Sequence, residues 1–149
     1  MSPVQLKLPA AGYVYDVRTQ SLLGFTDRLE RNIDLRPQFL AILPVRVESL
    51  ELTGAVTPIR PGTTVTLTGR VHFNDDAQAE TTAQAVHVRV LDAQDHELEW
   101  FRQNVVFSGT TFQISLPLAL SLEPGRYRVR VEHAIAGSTA TTTLEVTAP

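Results

Sequence analysis

The 149-residue sequence contains no cysteine. That excludes disulfides, thiolate catalysis and cysteine-built zinc sites. It contains one lysine, Lys7, so nearly all its positive charge is guanidinium. Aromatic residues make up 7%, with a single tryptophan, Trp100. No apolar run approaches the roughly 20 residues needed to cross a bilayer as a helix, so no membrane span is expected. The opening MSPVQLKLPAAGY lacks both a basic start and an unbroken apolar stretch, and no signal peptide is expected from it. The formal net charge of -3 and pI near 5.8 offer no basic face, which argues against nucleic acid as a partner. Hydrophobic residues at 43% against 19% charged are enough for a packed core.

What is present is a period of two. In TTVTLTGRVHF, Val65, Leu67, Val71 and Phe73 fall on one face, and Thr64, Thr66, Thr68, Arg70 and His72 on the other. Such alternation with β-branched residues marks a half-buried strand. Val86, Val88 and Val90 repeat it, as do Phe112, Ile114 and Leu116, then Tyr127, Val129 and Val131, then Leu144 and Val146. Pro61-Gly62, Asn74-Asp75-Asp76, Asp92 to Asp95, Ser108-Gly109, Pro124-Gly125 and Gly137-Ser138 punctuate the runs. The pattern predicts seven strands over 45–54, 63–73, 84–92, 96–107, 111–118, 125–134 and 139–147. The stretch Asp75 to Ala85 has room for one helical turn but no apolar stripe. The fold class expected is all-β: an immunoglobulin- or fibronectin-III-like antiparallel sandwich over 45–149, preceded by a small antiparallel β segment over 1–44. Pro124 and Gly125 lead into Tyr127 at a strand start. This is the setting of a tyrosine corner, in which the hydroxyl returns to upstream backbone; the alternative is a plain core aromatic.

In residues 1–44, Tyr13, Tyr15 and Val17 alternate with polar neighbours, and Thr19-Gln20 reads as a tight turn into Ser21–Phe25. A third strand is expected through Leu29, Ile33 and Leu35, a fourth over Phe39–Leu43, and a short extra one at Val4–Leu8. So small a piece, without disulfide or metal, rarely folds alone. Its apolar face needs cover from the sandwich, from an upstream sandwich of which it is the tail, or from another chain. The second is favoured, with partial cover from 45–149. An exposed apolar patch or an oligomer contact is the consequence.

The string GYVYDVRTQSLLGFTDRLERNIDLRPQFLAILP, Gly12 to Pro44, resembles the end of the β-sandwich region in large bacterial glycoside-hydrolase-like proteins, notably β-galactosidase-like chains. The resemblance rests on Tyr13 to Arg18, Leu23-Gly24, Asp27, Leu35, Pro37 and Leu40 to Pro44. In such chains an immunoglobulin-like module often follows. It is matched here by Arg60-Pro61-Gly62, Asp95, Arg102-Gln103-Asn104, Leu116 to Leu120 and Pro124 to Tyr127. These are turn and core residues, so they speak for a fold and not a chemistry. The resemblance implies a C-terminal, non-catalytic region of a carbohydrate-active protein. It alone favours a secreted or cell-surface location, and the compartment otherwise stays open.

A search for chemistry returns little. His72, His87, His96 and His133 show no metal-binding spacing and are expected to be surface residues. The carboxylates Asp16, Asp27, Glu30 and Asp34 cluster, but no deep cleft for glycosidase work is expected there, and Asp16 and Asp27 read as turn and hairpin residues pairing with Arg18 or Arg28. Asn74-Asp75-Asp76 with Glu80 offers oxygen ligands yet lacks the calcium-loop pattern, and a solvated turn is expected. There is no GxSxG and no phosphate loop. No catalytic residue, metal or cofactor is therefore assigned. The outward face carrying Arg89, Arg128 and Arg130 could grip an acidic partner or a carboxylate-bearing glycan, but an ordinary sheet exterior of crossed charge pairs is the favoured reading. Around Trp100 and Phe101 both faces are apolar, so the strand is either buried on two sides or kinked. One ring is expected in the core, and Trp100 is expected against the N-terminal strands rather than as a sugar platform.

The function expected is a non-catalytic accessory or structural module of a larger carbohydrate-active protein. Its partner would be the rest of its own parent chain or a second copy. The alternatives are a polysaccharide-binding module and a cell-surface adhesion or protein-interaction domain.

Overall fold

The computed structural model describes residues 3–32, 34–54 and 58–149. Along these residues run ten strands: β1 (Pro3–Asp16), β2 (Ser21–Asn32), β3 (Leu40–Leu43), β4 (Val47–Thr53), β5 (Thr64–Phe73), β6 (Ala83–Leu91), β7 (Gln103–Ser108), β8 (Thr111–Pro117), β9 (Gly125–His133) and β10 (Thr139–Val146). One helical turn, α1 (Asp76–Ala79), lies between β5 and β6. The Asp75 carboxylate caps it by accepting from the backbone N–H of Ala77 and Gln78.

The alternation read in the sequence is the physical origin of two layers. In β5, Val65, Leu67, Gly69, Val71 and Phe73 all point inward and the threonines point out. Three strands pair antiparallel in the order β4-β5-β8, and four in the order β10-β9-β6-β7. Their inner faces share one core of Val, Leu, Ile and Phe, including the fully buried Leu67, Val71, Val86, Val88, Ile114, Leu116, Val129 and Val131. The result is an antiparallel β-sandwich. Gly69 has a packing reason: its cross-strand partner is Phe112, and a Cβ at 69 would stand 2.0 Å from the Phe112 ring. Gly62, at φ +81, closes the Pro61-Gly62 turn with a backbone shape that side chains disfavour.

The N-terminal sheet has the order β2-β1-β3. Two long strands and one short one replace the four or five short strands expected from the sequence. Leu29 belongs to β2, Leu35 sits in irregular backbone, and Ile33 lies outside the described residues. The β1–β2 ribbon is interrupted between Lys7↔Arg28 and Gly12↔Thr26, where Leu8 to Ala11 face Asp27 alone. So large a bulge bends the ribbon back. Arg31, the ladder partner of Val4, thereby reaches Asp16 at the other end of β1, 2.7 Å away. Val14 is fully buried although it lies on the face opposite Tyr13 and Tyr15.

Core packing and hydrogen bonds join this sheet to the sandwich. Tyr15 and Leu43 enter the common core. The Tyr15 hydroxyl accepts from the Val47 N–H at 3.0 Å, and the Tyr13 hydroxyl accepts from Asn74 Nδ2 at 2.8 Å. At the β1–β2 turn, Gln20 Nε2 donates to Glu132 Oε1 at 2.9 Å.

Candidate functional site

The strand predicted over 96–107 is shorter than its pattern suggested. Leu98 still donates to the Val90 carbonyl, but Glu99–Phe101 forms a 3-10 turn and β7 begins only at Gln103. This turn resolves the two-sided apolar pattern. It drives Phe101 into the core and swings Trp100 outward, where it is 70% exposed. Trp100 therefore does not take the buried role against the N-terminal strands that the sequence suggested.

Several interactions hold the turn that carries Trp100. The Arg102 guanidinium forks onto both Glu97 carboxylate oxygens, at 2.9 and 2.8 Å, bridging the base of the turn. That bond holds the Glu97 carboxyl below the usual carboxylate range. The preceding loop is tied by Asp92, whose Oδ1 accepts from the N–H of His96 at 2.9 Å and of Gln94 at 2.8 Å. Those backbone bonds, the His96 one above all, lower the Asp92 pKa. Arg128 pairs with Asp95, anchoring the loop to β9.

Across from this loop, the Tyr127 hydroxyl donates to the Glu123 carbonyl at 2.8 Å. The tyrosine corner is formed, and it shapes the segment through Pro124 and Gly125. Burial, with Glu123 and Asp92 nearby, pushes the Tyr127 hydroxyl's pKa up. The two loops and the turn enclose an open hollow of about 700 Å³. Trp100, Leu98 and Leu122 form its apolar walls; Gln94, Glu123 and Arg126 bring polar groups. Gln94, Arg126 and Leu122 escaped the sequence reading because only folding brings the two loops together. An indication was available, since the sole tryptophan adjoins a Phe that could fill the core alone.

The arginine face is largely a structural exterior. Arg89 Nε lies 3.9 Å from Glu97, Arg128 pairs with Asp95, and Arg89 stands directly opposite Arg130 in the β6–β9 ladder. Exposed pairs of this kind contribute little to stability.

Of the four histidines expected at the surface, His133 is not there. His72 pairs with Glu51 at 2.9 Å and His87 with Asn104 at 2.6 Å. His133 is fully buried, because it continues the inward parity of Tyr127, Val129 and Val131. Its Nε2–H donates to Gln84 Oε1 at 2.9 Å, and its Nδ1 accepts from the N–H of Ile135 and Ala136. Burial, with His87 adding to it, lowers its pKa to about 4.

Asp16 behaves as the turn residue expected, accepting from the N–H of Arg18 and Thr19, but its ion pair is with Arg31. Those bonds, the Thr19 one first, lower its pKa. Asp75 caps α1, while Asp76 pairs with Arg70 at 3.1 Å. No group of three or more metal-ligating side chains occurs among the described residues.

No family model and no curated protein matches the chain. Among solved structures, it is similar to a β-glucosidase from Listeria innocua in complex with isofagomine, with TM-score 0.47 and 13% identity over 68% of this chain and 16% of that one. It is also similar to a Paenibacillus sp. cycloisomaltooligosaccharide glucanotransferase complexed with cycloisomaltoheptaose, with TM-score 0.44 and 20% identity over 69% of this chain and 14% of that one. The chain thus spans less than one sixth of the length of either neighbour, both of them carbohydrate-active chains.

Proposed function

We propose that this chain is a non-catalytic, fibronectin-III-like accessory module of a larger carbohydrate-active protein, docked to its parent through residues 1–44. Those residues read as the tail of an upstream sandwich, and 45–149 as the module itself. The three-plus-four strand order and the tyrosine corner support the fold type. The Gly12–Pro44 resemblance supports the parent class.

The observation that carries the docking role is where the uncovered apolar surface lies. Among the described residues, six of the nine exposed large hydrophobics fall in the first 44: Val4, Leu22, Phe25, Leu35, Phe39 and Ile42. Leu22 and Phe25 are ladder partners of Tyr15 and Tyr13, so they extend outward the same face that seals on the sandwich. Phe25 stacks edge-on against Tyr13 and is still 61% exposed. Ile42, the ladder partner of Val14, lies on the other face of the sheet, and uncovered apolar surface of this kind marks a contact surface. Three carboxylates, meanwhile, are occupied by structural partners: Asp16 by Arg31, Glu97 by Arg102, and Asp92 by backbone.

The test is sedimentation of the purified chain. It is expected to self-associate with rising concentration, and Leu22→Ser with Phe25→Ser is expected to abolish that association while leaving the far-ultraviolet spectrum unchanged. A chain that stays monomeric at high concentration and binds no hydrophobic dye overturns the docking role. Turnover of a glycoside by the homogeneous chain, abolished by a substitution within it, overturns the non-catalytic one.

A further inference from the structure

We infer that the hollow beside Trp100 is a binding site for a neutral oligosaccharide, with the indole as the platform for one pyranose ring. This rests on the carbohydrate part of the reading above and is independent of its docking part. Three observations lead to it.

The first is that Trp100 has no structural duty. Phe101 fills the core next to it, and Trp100 remains 70% exposed on a turn held by the Glu97–Arg102 fork. A large apolar face is carried on a turn whose backbone is braced, so a ligand stacking on it orders little of the chain. The negative face of an aromatic ring attracts the polarised C–H bonds on the flat side of a sugar.

The second is the mixture of groups around it. Gln94, Glu123 and Arg126 line the same hollow, and their side chains make no hydrogen bond or ion pair among the described residues. An amide, a carboxylate and a guanidinium together offer both donors and acceptors to ring hydroxyls. Charges of both signs disfavour a strongly charged ligand. The volume of about 700 Å³ falls within the range of small-molecule sites.

The third disfavours a protein segment as occupant. The N–H groups of Gln94, Asp95, His96 and Leu122 are bonded within the loops, and that of Leu98 to the Val90 carbonyl of β6. Paired in this way, those five N–H groups are not free to extend an incoming strand. Recognition falls to side chains, which suits a ligand that presents hydroxyls around an apolar face.

Trp100 is the only tryptophan, so its emission reports on the site directly. The intact chain is titrated with neutral hexaoses of α- and β-linked glucose and of β-linked galactose. At least one series is expected to quench or blue-shift the emission to saturation, in the micromolar to millimolar range. By calorimetry, Trp100→Ala should weaken that binding at least tenfold, and Glu123→Gln several-fold, with thermal midpoints held within a few degrees. Trp100→Phe should keep most of the affinity, which separates stacking from folding. No saturation with any hexaose up to about 10 mM, a level where affinity is worth under about 3 kcal/mol, overturns the inference. So does binding that Trp100→Ala leaves intact, or an equal response to an extended peptide. None of these outcomes bears on the self-association that tests the docking face.

Discussion

Acidification should unfold this sandwich early, and His133 is the reason. The ring is fully buried, with its proton on Nε2 directed at Gln84 and its Nδ1 lone pair engaged by two backbone N–H groups. A second proton would have to sit on Nδ1, pointing at two donors, and would bury a charge without a counter-ion. The native pKa of about 4 lies well below the ordinary value of 6.5. The unfolded chain therefore takes up a proton at pH values where the native one does not. Above pH 6.5 the contribution is complete; it declines as pH falls from 6.5 to about 4, and below that His133 costs nothing more. At 1.36 kcal/mol per pH unit the full loss is about 3 kcal/mol, a large part of the 5–15 kcal/mol that holds a domain together. Urea unfolding at pH 7 and pH 4.5 measures it, with an expected fall in midpoint on the order of 1–2 M. A His133→Gln chain should be weaker at pH 7 but lose less than half as much over that interval. The reasoning fails if the wild-type midpoint is unchanged across the interval, or if the ring itself titrates above pH 6 by NMR.

Two further outcomes follow from single contacts. Gly69→Ala places a methyl 2.0 Å from the Phe112 ring and should cost roughly 1–3 kcal/mol, mostly regained when Phe112→Leu is added; calorimetric midpoints of both chains decide it. Tyr127→Phe removes only the bond to the Glu123 carbonyl and should cost about 1 kcal/mol with the fold intact; a neutral effect on denaturant unfolding would contradict the corner.

The strands of the sandwich were legible because their information is local. Alternation in Thr64–Phe73, Val86–Val90 and Tyr127–Val131 needs only near neighbours to define a face, and Pro124-Gly125-Arg126-Tyr127 announced its corner through backbone chemistry. Extended one step, the same parity would have placed His133 inside, since Tyr127, Val129, Val131 and His133 all share one face. The N-terminal segment was legible only as β-structure. Strand length there depends on how far the β1–β2 ladder survives the Leu8–Ala11 bulge, and the return of Arg31 to Asp16 is a three-dimensional consequence of that bend.

By itself, then, the amino-acid order determined an all-β chain without thiol chemistry, a two-layered core and the positions of its main turns. Each of these follows from side-chain size, polarity and backbone freedom within a few residues. The tertiary structure alone decided that Phe101 goes inward and Trp100 outward, that two distant loops enclose a hollow beside that indole, and that His133 stays neutral. Those outcomes depend on which groups compete for the same buried space and the same hydrogen bonds, and that competition arises only once the sheets have closed on each other.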